Sequence, residues 1–185
     1  MIILKKMKMY DRAVIRKIYN QEFPKDERKP FSMLLRLRSK GKADLVSIFD
    51  TKLNETVGLA FFLVHDNSVL VDYLAIKNKY QGSGYGTEVL DLIRERYKNK
   101  KIFGEVEYPG VLEKNNEQRI RRMNFYLRNG LTESGIIIRY FGCTLELMCF
   151  DDAKITYEEY KDFLNGVFAH YGIKAINKNI HLISK

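Results

Sequence analysis

With 185 residues, 45% of them hydrophobic, the chain has the length of one domain and enough apolar surface for a core, and no repeat, low-complexity tract or proline-rich linker divides it. The formal net charge of +9 is uneven: residues 1–40 hold 12 Lys/Arg against 4 Asp/Glu, and residues 41–185 hold 20 against 19, so any pull on an anionic partner belongs to the first segment. Two cysteines, three scattered histidines and the lack of a long apolar run exclude a Cys/His metal site, a signal sequence and a membrane span; we expect a cytoplasmic protein that holds no metal.

Ile2-Ile3-Leu4 reads as a short first strand. Asp11 is placed to cap a helix running to about residue 23, whose apolar side is given by Tyr10, Val14 and Ile18 at i, i+4 spacing. Pro24-Lys25-Asp26 breaks it. A second helix starts near Pro30 and carries Phe31, Leu34, Leu35 and Arg38. Three strands follow, at 43–49, 56–65 and 68–76, joined by short turns that imply an antiparallel meander.

A glycine-rich turn comes directly after them and feeds a helix over 87–97, with Val89, Leu90, Ile93 and Tyr97 on one face. A strand at 102–108 and a loop from Pro109-Gly110 lead to a helix over 117–128. That helix points Ile120, Met123 and Leu127 inward, and Asn129-Gly130 stops it. Strands at 136–140 and 144–150 complete the pattern. Cys143 and Cys149, if they share one strand, are about 20 Å apart and out of disulfide reach. Beyond Asp151-Asp152, Tyr157, Tyr160, Phe163, Leu164, Val167, Phe168 and Tyr171 form one helical stripe, and 173–183 reads as an extended tail. Residues 1–150 are therefore expected to form the domain. Residues 151–185, too short to bury a core alone, are expected to be a helical extension packed on it. His65, His170 and His181 read as structural or exposed.

The chemistry concentrates at Gln81-Gly82-Ser83-Gly84-Tyr85-Gly86-Thr87. A strand, a glycine turn and a helix in that order make an anion site. The first N–H groups of the helix lack intrahelical acceptors and carry partial positive charge, and glycine lets a phosphate approach the backbone. The Gly-Lys-Ser/Thr ending of an ATP-type loop is missing, and no βαβ unit surrounds the turn as a dinucleotide fold would require.

Gln81-x-x-Gly84-x-Gly86 resembles the acetyl-CoA motif of the GNAT acetyltransferases. Asp72-Tyr73-Leu74-Ala75-Ile76 is similar to the family's fourth strand. Phe125-Tyr126-Leu127-Arg128-Asn129-Gly130-Leu131 is similar to the end of its later helix. The resemblance covers about residues 1–150. It implies a mixed α/β fold with a mostly antiparallel sheet of about seven strands and helices on both faces. It implies a transferase that moves acetyl from acetyl-CoA directly to an amine. Backbone amides from Gln81 to Thr87 would hold the CoA pyrophosphate, and Leu74, Ala75 and Ile76 would pair with pantetheine along a strand that splays from its neighbour. A strand-four amide would hold the oxyanion, and Tyr126 would protonate the departing sulfur. Where many members carry Asn and Ala, seven and four residues before that Tyr, this chain has Arg119 and Arg122. With Arg121 they face either CoA phosphates or solvent.

The general base is sought among acids on the two central strands: Asp72 on the fourth, and Glu105 and Glu107, which alternate with Val106 on one face of the fifth. The family walls its acceptor groove with the first two helices. The +8 segment, with Lys25, Arg28, Lys29, Arg36 and Arg38, therefore implies a small-molecule or peptide amine acceptor with an anionic portion. No membrane partner is expected, and a homodimer is one assembly open to the chain. CoA binding without catalysis, and nucleic-acid binding by the basic segment, are the alternatives. Nucleic acid is set aside because the basic residues interleave with helix faces, not with aromatic stacking platforms.

Overall fold

The computed structural model describes residues 1–25, 27–110, 115–169 and 173–184; Asp26, His170 and Tyr171 of the sequence reading lie outside them. The fold is mixed α/β, with eight strands and six α-helices among the described residues. The chain divides into two compact units, Met1–Val64 with Val71–Lys98, and His65–Leu70 with Asn99–Lys185.

The first unit contains β1 (Ile2–Lys6), α1 (Arg12–Glu22), α2 (Phe31–Ser39), β2 (Ala43–Asp50), β3 (Glu55–His65), the end of β4 (Ser68–Ile76) and α3 (Tyr85–Arg96). Its strands lie in the order β1-β2-β3-β4. β1 and β3 flank β2 in antiparallel register, Ile2 opposite Asp50 and Ala43 opposite Leu63. Every residue from Val57 to Leu63 is buried, as a near-continuous apolar run requires of a strand covered on both faces. Tyr19, Phe23, Phe31, Phe61 and Tyr73 form one aromatic cluster, with Tyr19 and Tyr73 edge-to-face at 4.9 Å. Such a pair is worth about 0.5–1.5 kcal/mol beyond the area it buries. The cluster also fixes the chain between α1 and α2. Tyr19 donates to the Lys29 carbonyl at 3.1 Å, and Tyr73 donates to the Glu27 carbonyl and accepts from the Lys29 amide, both at 2.9 Å.

Helix α1 is rotated from the expected phase. It buries Ile15, Ile18 and Tyr19, which leaves Tyr10 and Val14 exposed. Two apolar stripes compete in this stretch. The buried one offers three residues within five positions and a ring for the aromatic cluster. Asp11 precedes α1 without capping it; its carboxylate instead accepts the Lys8 amide at 2.8 Å.

The second unit contains β5 (Lys101–Glu107), α4 (Asn116–Arg128), β6 (Leu131–Tyr140), β7 (Cys143–Phe150), α5 (Tyr157–Val167), α6 (Ile173–Asn179) and β8 (Ile180–Ser184), with strand order β5-β7-β6-β8, each pairing antiparallel. β6 and β7 join through Phe141 and Gly142, at φ 46° and 89°, the doubly left-handed pair of a two-residue hairpin. Residues 180–184, expected as part of a tail, are an eighth strand beside β6. Helix α5 opens on a capping box: Glu159 N donates to Thr156 Oγ1 at 3.1 Å, and Thr156 N donates to Glu159 Oε2 at 2.8 Å. It sets Phe163 edge-on to Phe103 at 5.1 Å. Among the described residues no helix is long and apolar enough to cross a membrane.

Candidate functional site

The glycine turn is built by backbone conformation. Gly82 and Gly84 sit at φ 78° and 82°, the left-handed region that side chains disfavour, and Gly84 is the residue from which α3 springs. A Cβ at either position would meet nothing within 4 Å, so conformation and open space, not crowding, call for glycine. The amides of Tyr85, Gly86 and Thr87 open α3 and have no intrahelical acceptors. Gln81 secures the entry: its Nε2 donates to the Ile76 carbonyl at 3.0 Å and to Asn78 Oδ1 at 2.9 Å. Gln81, Ser83 and Thr87 are exposed.

Two carboxylates at the ends of the β2–β3 connection brace this turn from both sides, and sequence reasoning missed both. Asp50 accepts the Tyr85 hydroxyl at 2.5 Å, which ties down the first residue of α3. That bond lowers the Asp50 carboxyl and is the main reason the Tyr85 phenol is pushed up to about 12. Glu55 accepts Tyr80 at 2.5 Å and Lys77 at 3.0 Å, with Lys79 Nζ 3.0 Å from Oε1, on the approach to the turn. Hydrogen bonds from Tyr80, Lys77 and Lys79 lower the Glu55 carboxyl to about 2. Leu74, Ala75 and Ile76 are the half-buried end of β4. A Cβ on Gly58 of β3 would stand 2.3 Å from the Ala75 carbonyl oxygen, so only glycine lets the two strands pass there. A lone glycine inside an apolar strand pattern was the available signal.

The three candidate bases have different surroundings. Asp72 lies in the first unit with its side chain 2% exposed. Lys29 donates to its Oδ1 at 2.7 Å, and its Oδ2 has no hydrogen-bond partner among the described residues. Glu105 and Glu107 lie in the second unit. Tyr160 donates to Glu105 at 2.5 Å. Glu107 takes Arg119 at 3.1 Å on Oε1 and Arg122 at 2.5 Å on Oε2. Arg119 and Glu107 are buried, at 10% and 11% side-chain exposure. Both arginines close on this carboxylate, Arg119 from within the packing and Arg122 from a side chain that stays 39% exposed.

This pairing sets the phase of α4. Its buried residues are Arg119 and Met123, whereas Ile120 and Leu127, expected inward, are exposed. The guanidinium of Arg119 also donates to Asn115 Oδ1 at 2.9 Å and to the Tyr108 carbonyl at 3.3 Å. Tyr126 lies on this half-buried side, its ring 5.2 Å from Phe125. Burial pushes its phenol up, against the opposing charge of Arg122, so the hydroxyl keeps its proton at neutral pH. Cys143 and Cys149 share β7; Cys149 is buried, and burial raises its thiol. Among the described residues no group of three His, Cys, Asp or Glu could hold a metal ion.

No family model and no curated protein matches the chain. Solved structures do. A structure described as a GNAT-family acetyltransferase from Bacteroides thetaiotaomicron superposes with a TM-score of 0.72 at 21% identity, over 93% of this chain and 99% of that one. The ribosomal-protein-S18-alanine N-acetyltransferase from Escherichia coli gives 0.62 at 12% identity, over 85% and 97%. The dodecameric spermidine N-acetyltransferase from Vibrio cholerae gives 0.61 at 15% identity, over 86% and 95%. The chain has the fold of the GNAT acetyltransferases.

Proposed function

We propose that this chain is an acetyl-CoA-dependent N-acetyltransferase that passes acetyl directly to an amine. The observation that carries the reading is the turn at 81–87. Two left-handed glycines, each with open space where a side chain would stand, lead into the first amides of α3, and Asp50 and Glu55 hold both ends in place. A pyrophosphate is the ligand such a row of amides suits. The fold and the sequence Gln81-x-x-Gly84-x-Gly86 support CoA as its carrier. Acetyl-CoA supplies an activated thioester; the chain supplies positioning and proton transfer.

Of the three acids, we assign the base to Asp72. Lys29 fixes one of its oxygens, and the other keeps its lone pairs for a proton from the acceptor ammonium, taken directly or through water. Glu107 would have to release a guanidinium before accepting a proton, which makes it structural. The acid is assigned to Tyr126 on its motif, supported by a phenol that burial keeps protonated. The amine nitrogen forms the new bond to the acetyl carbon, the carbon–sulfur bond breaks, and the sulfur leaves as a thiol.

A second reading, CoA binding without catalysis, is favoured by one observation: Glu105 and Glu107 are both held in hydrogen bonds. Free-thiol release, measured with acetyl-CoA across a panel of amines, separates the two. The first reading expects turnover with at least one amine and loss of it in Asp72→Asn. Saturable CoA binding with no thiol release from any amine favours the second.

A further inference from the structure

We propose that Lys29 is a self-acetylation site, a lysine that takes acetyl from bound acetyl-CoA when no free amine is offered; the inference rests on the assignment of the turn to CoA and of Asp72 as the base. Lys29 lies between α1 and α2, and its Nζ is 2.7 Å from Asp72 Oδ1. A base must stand within about 2.6–3.2 Å of the nitrogen it deprotonates, and Lys29 already meets that condition. Its backbone is held from both sides. The amide donates to the Tyr73 hydroxyl at 2.9 Å, and the carbonyl accepts from Tyr19 at 3.1 Å. The ammonium also lies 5.2 Å from the centre of the Tyr73 ring. The Lys29 side chain is 21% exposed, against 2% for Asp72. Lysines paired elsewhere meet a different kind of acid. Glu55 with Lys77 and Lys79, Glu159 with Lys101, and Glu95 with Lys98 are 38%, 50% and 73% exposed, and none of these acids lies on the strand that leads into the turn.

Strand geometry brings the thioester to the same place. Asp72 and Leu74 are about 7 Å apart along β4 and point to the same face. With the pyrophosphate on the amides of Tyr85, Gly86 and Thr87, and pantetheine running along Ile76, Ala75 and Leu74, the sulfur comes to the Asp72 end of the strand. Lys29 is fixed at that end by its bonds to Asp72 and Tyr73. The step then balances. The Lys29 ammonium gives one proton to Asp72, and its nitrogen forms the bond to the acetyl carbon. The carbon–sulfur bond breaks, and the sulfur leaves as the CoA thiol. The second proton that nitrogen releases offsets the one the sulfur takes up. The product is an acetamide on Lys29, which carries no charge and no longer pairs with Asp72. A free amine draws on the same thioester, so a good acceptor should protect Lys29.

The test is mass spectrometry of the full chain incubated with acetyl-CoA and no amine, followed by peptide mapping. A single acetyl, about 42 Da, should appear on the peptide that carries Lys29, with one thiol released per adduct. Lys29→Arg keeps a cation beside Asp72 and should remove the adduct, because a guanidinium stays charged. Asp72→Asn should slow the modification by at least about 10²-fold, the usual contribution of a positioned base. The wild type unfolded in urea gives the uncatalysed rate at the same lysine, and the folded chain should exceed it by at least about 10²-fold; this comparison holds even where Asp72→Asn fails to fold. Lys29 left unmodified, acetyl spread over exposed lysines, or a Lys29 rate equal to that in urea or in folded Asp72→Asn overturns the proposal and leaves the ion pair structural. A panel of amines run in parallel separates this inference from the assignment it rests on. Amine-dependent thiol release with Lys29 unmodified overturns self-acetylation alone, whereas a chain that binds no CoA overturns both.

Discussion

The carboxylates of the two units differ in what they leave open. In the second unit Glu105 and Glu107 spend their oxygens on Tyr160, Arg119 and Arg122 inside the packing. In the first unit Asp50 and Glu55 bond the two ends of a turn, and Asp72 has one oxygen with no hydrogen-bond partner among the described residues. An acid on an apolar strand is thus not a functional signal until its partners are known. The polar groups that suit a ligand are those the protein has positioned and not satisfied.

The largest expected effect breaks this contrast on the structural side. Glu107→Ala strands Arg119 in a buried site, which typically costs about 3–5 kcal/mol. Urea unfolding should show that loss, with CoA affinity nearly unchanged in the folded fraction. A stable variant that loses only turnover would make Glu107 catalytic. Tyr126→Phe comes next. Removing a general acid costs about 10²–10⁴ in rate, so kcat should fall within that range while acetyl-CoA affinity changes less than about threefold. Wild-type kcat in the Phe variant would leave Tyr126 a packing residue.

The smallest effect sharpens the account of the brace. The folded state lowers the Glu55 carboxyl from its ordinary 4.5 to about 2. Its contribution to stability is therefore fully present above about pH 4.5 and is lost as pH falls toward 2. The difference in urea midpoint between the wild type and Glu55→Gln should be constant from pH 7 to 5 and shrink from pH 4.5 to 3. A difference independent of pH over that range would mean that the lysines and Tyr80 do not depend on the charge.

The turn was legible because left-handed backbone positions all but demand glycine, and so the conformation is written in Gly82 and Gly84. The order β2-β3-β4 was legible from short turns between apolar runs, whereas the place of β1 beside β2 was not. The phase of α4 was not. Arg119 counts as polar by composition, yet it is buried because Glu107, twelve positions earlier, awaits it. The phase of α1 was hidden because Tyr10, Val14 and Ile18 are spaced as well as Ile15, Ile18 and Tyr19 are, and only the ring cluster with Phe31, Phe61 and Tyr73 decides between them. Asp50 was read as a turn residue and Glu55 fell between turn and strand, because their partners, Tyr85 and Tyr80, lie 35 and 25 positions away. Strand β8 escaped because a short Ile-His-Leu-Ile run has no turn of its own and pairs only with β6.

The central claim is that the amides opening α3 bind the CoA pyrophosphate, and calorimetry on one substitution tests it most directly. Gly84→Val puts a β-branched side chain at φ 82° and into the open space before those amides. CoA titrated into the variant should bind at least tenfold more weakly than to the wild type, a loss of about 1.4 kcal/mol or more, with the melting temperature of the unliganded protein confirming that the rest of the fold persists. A folded Gly84→Val protein that binds CoA as tightly as the wild type would contradict the assignment and remove the turn as the site.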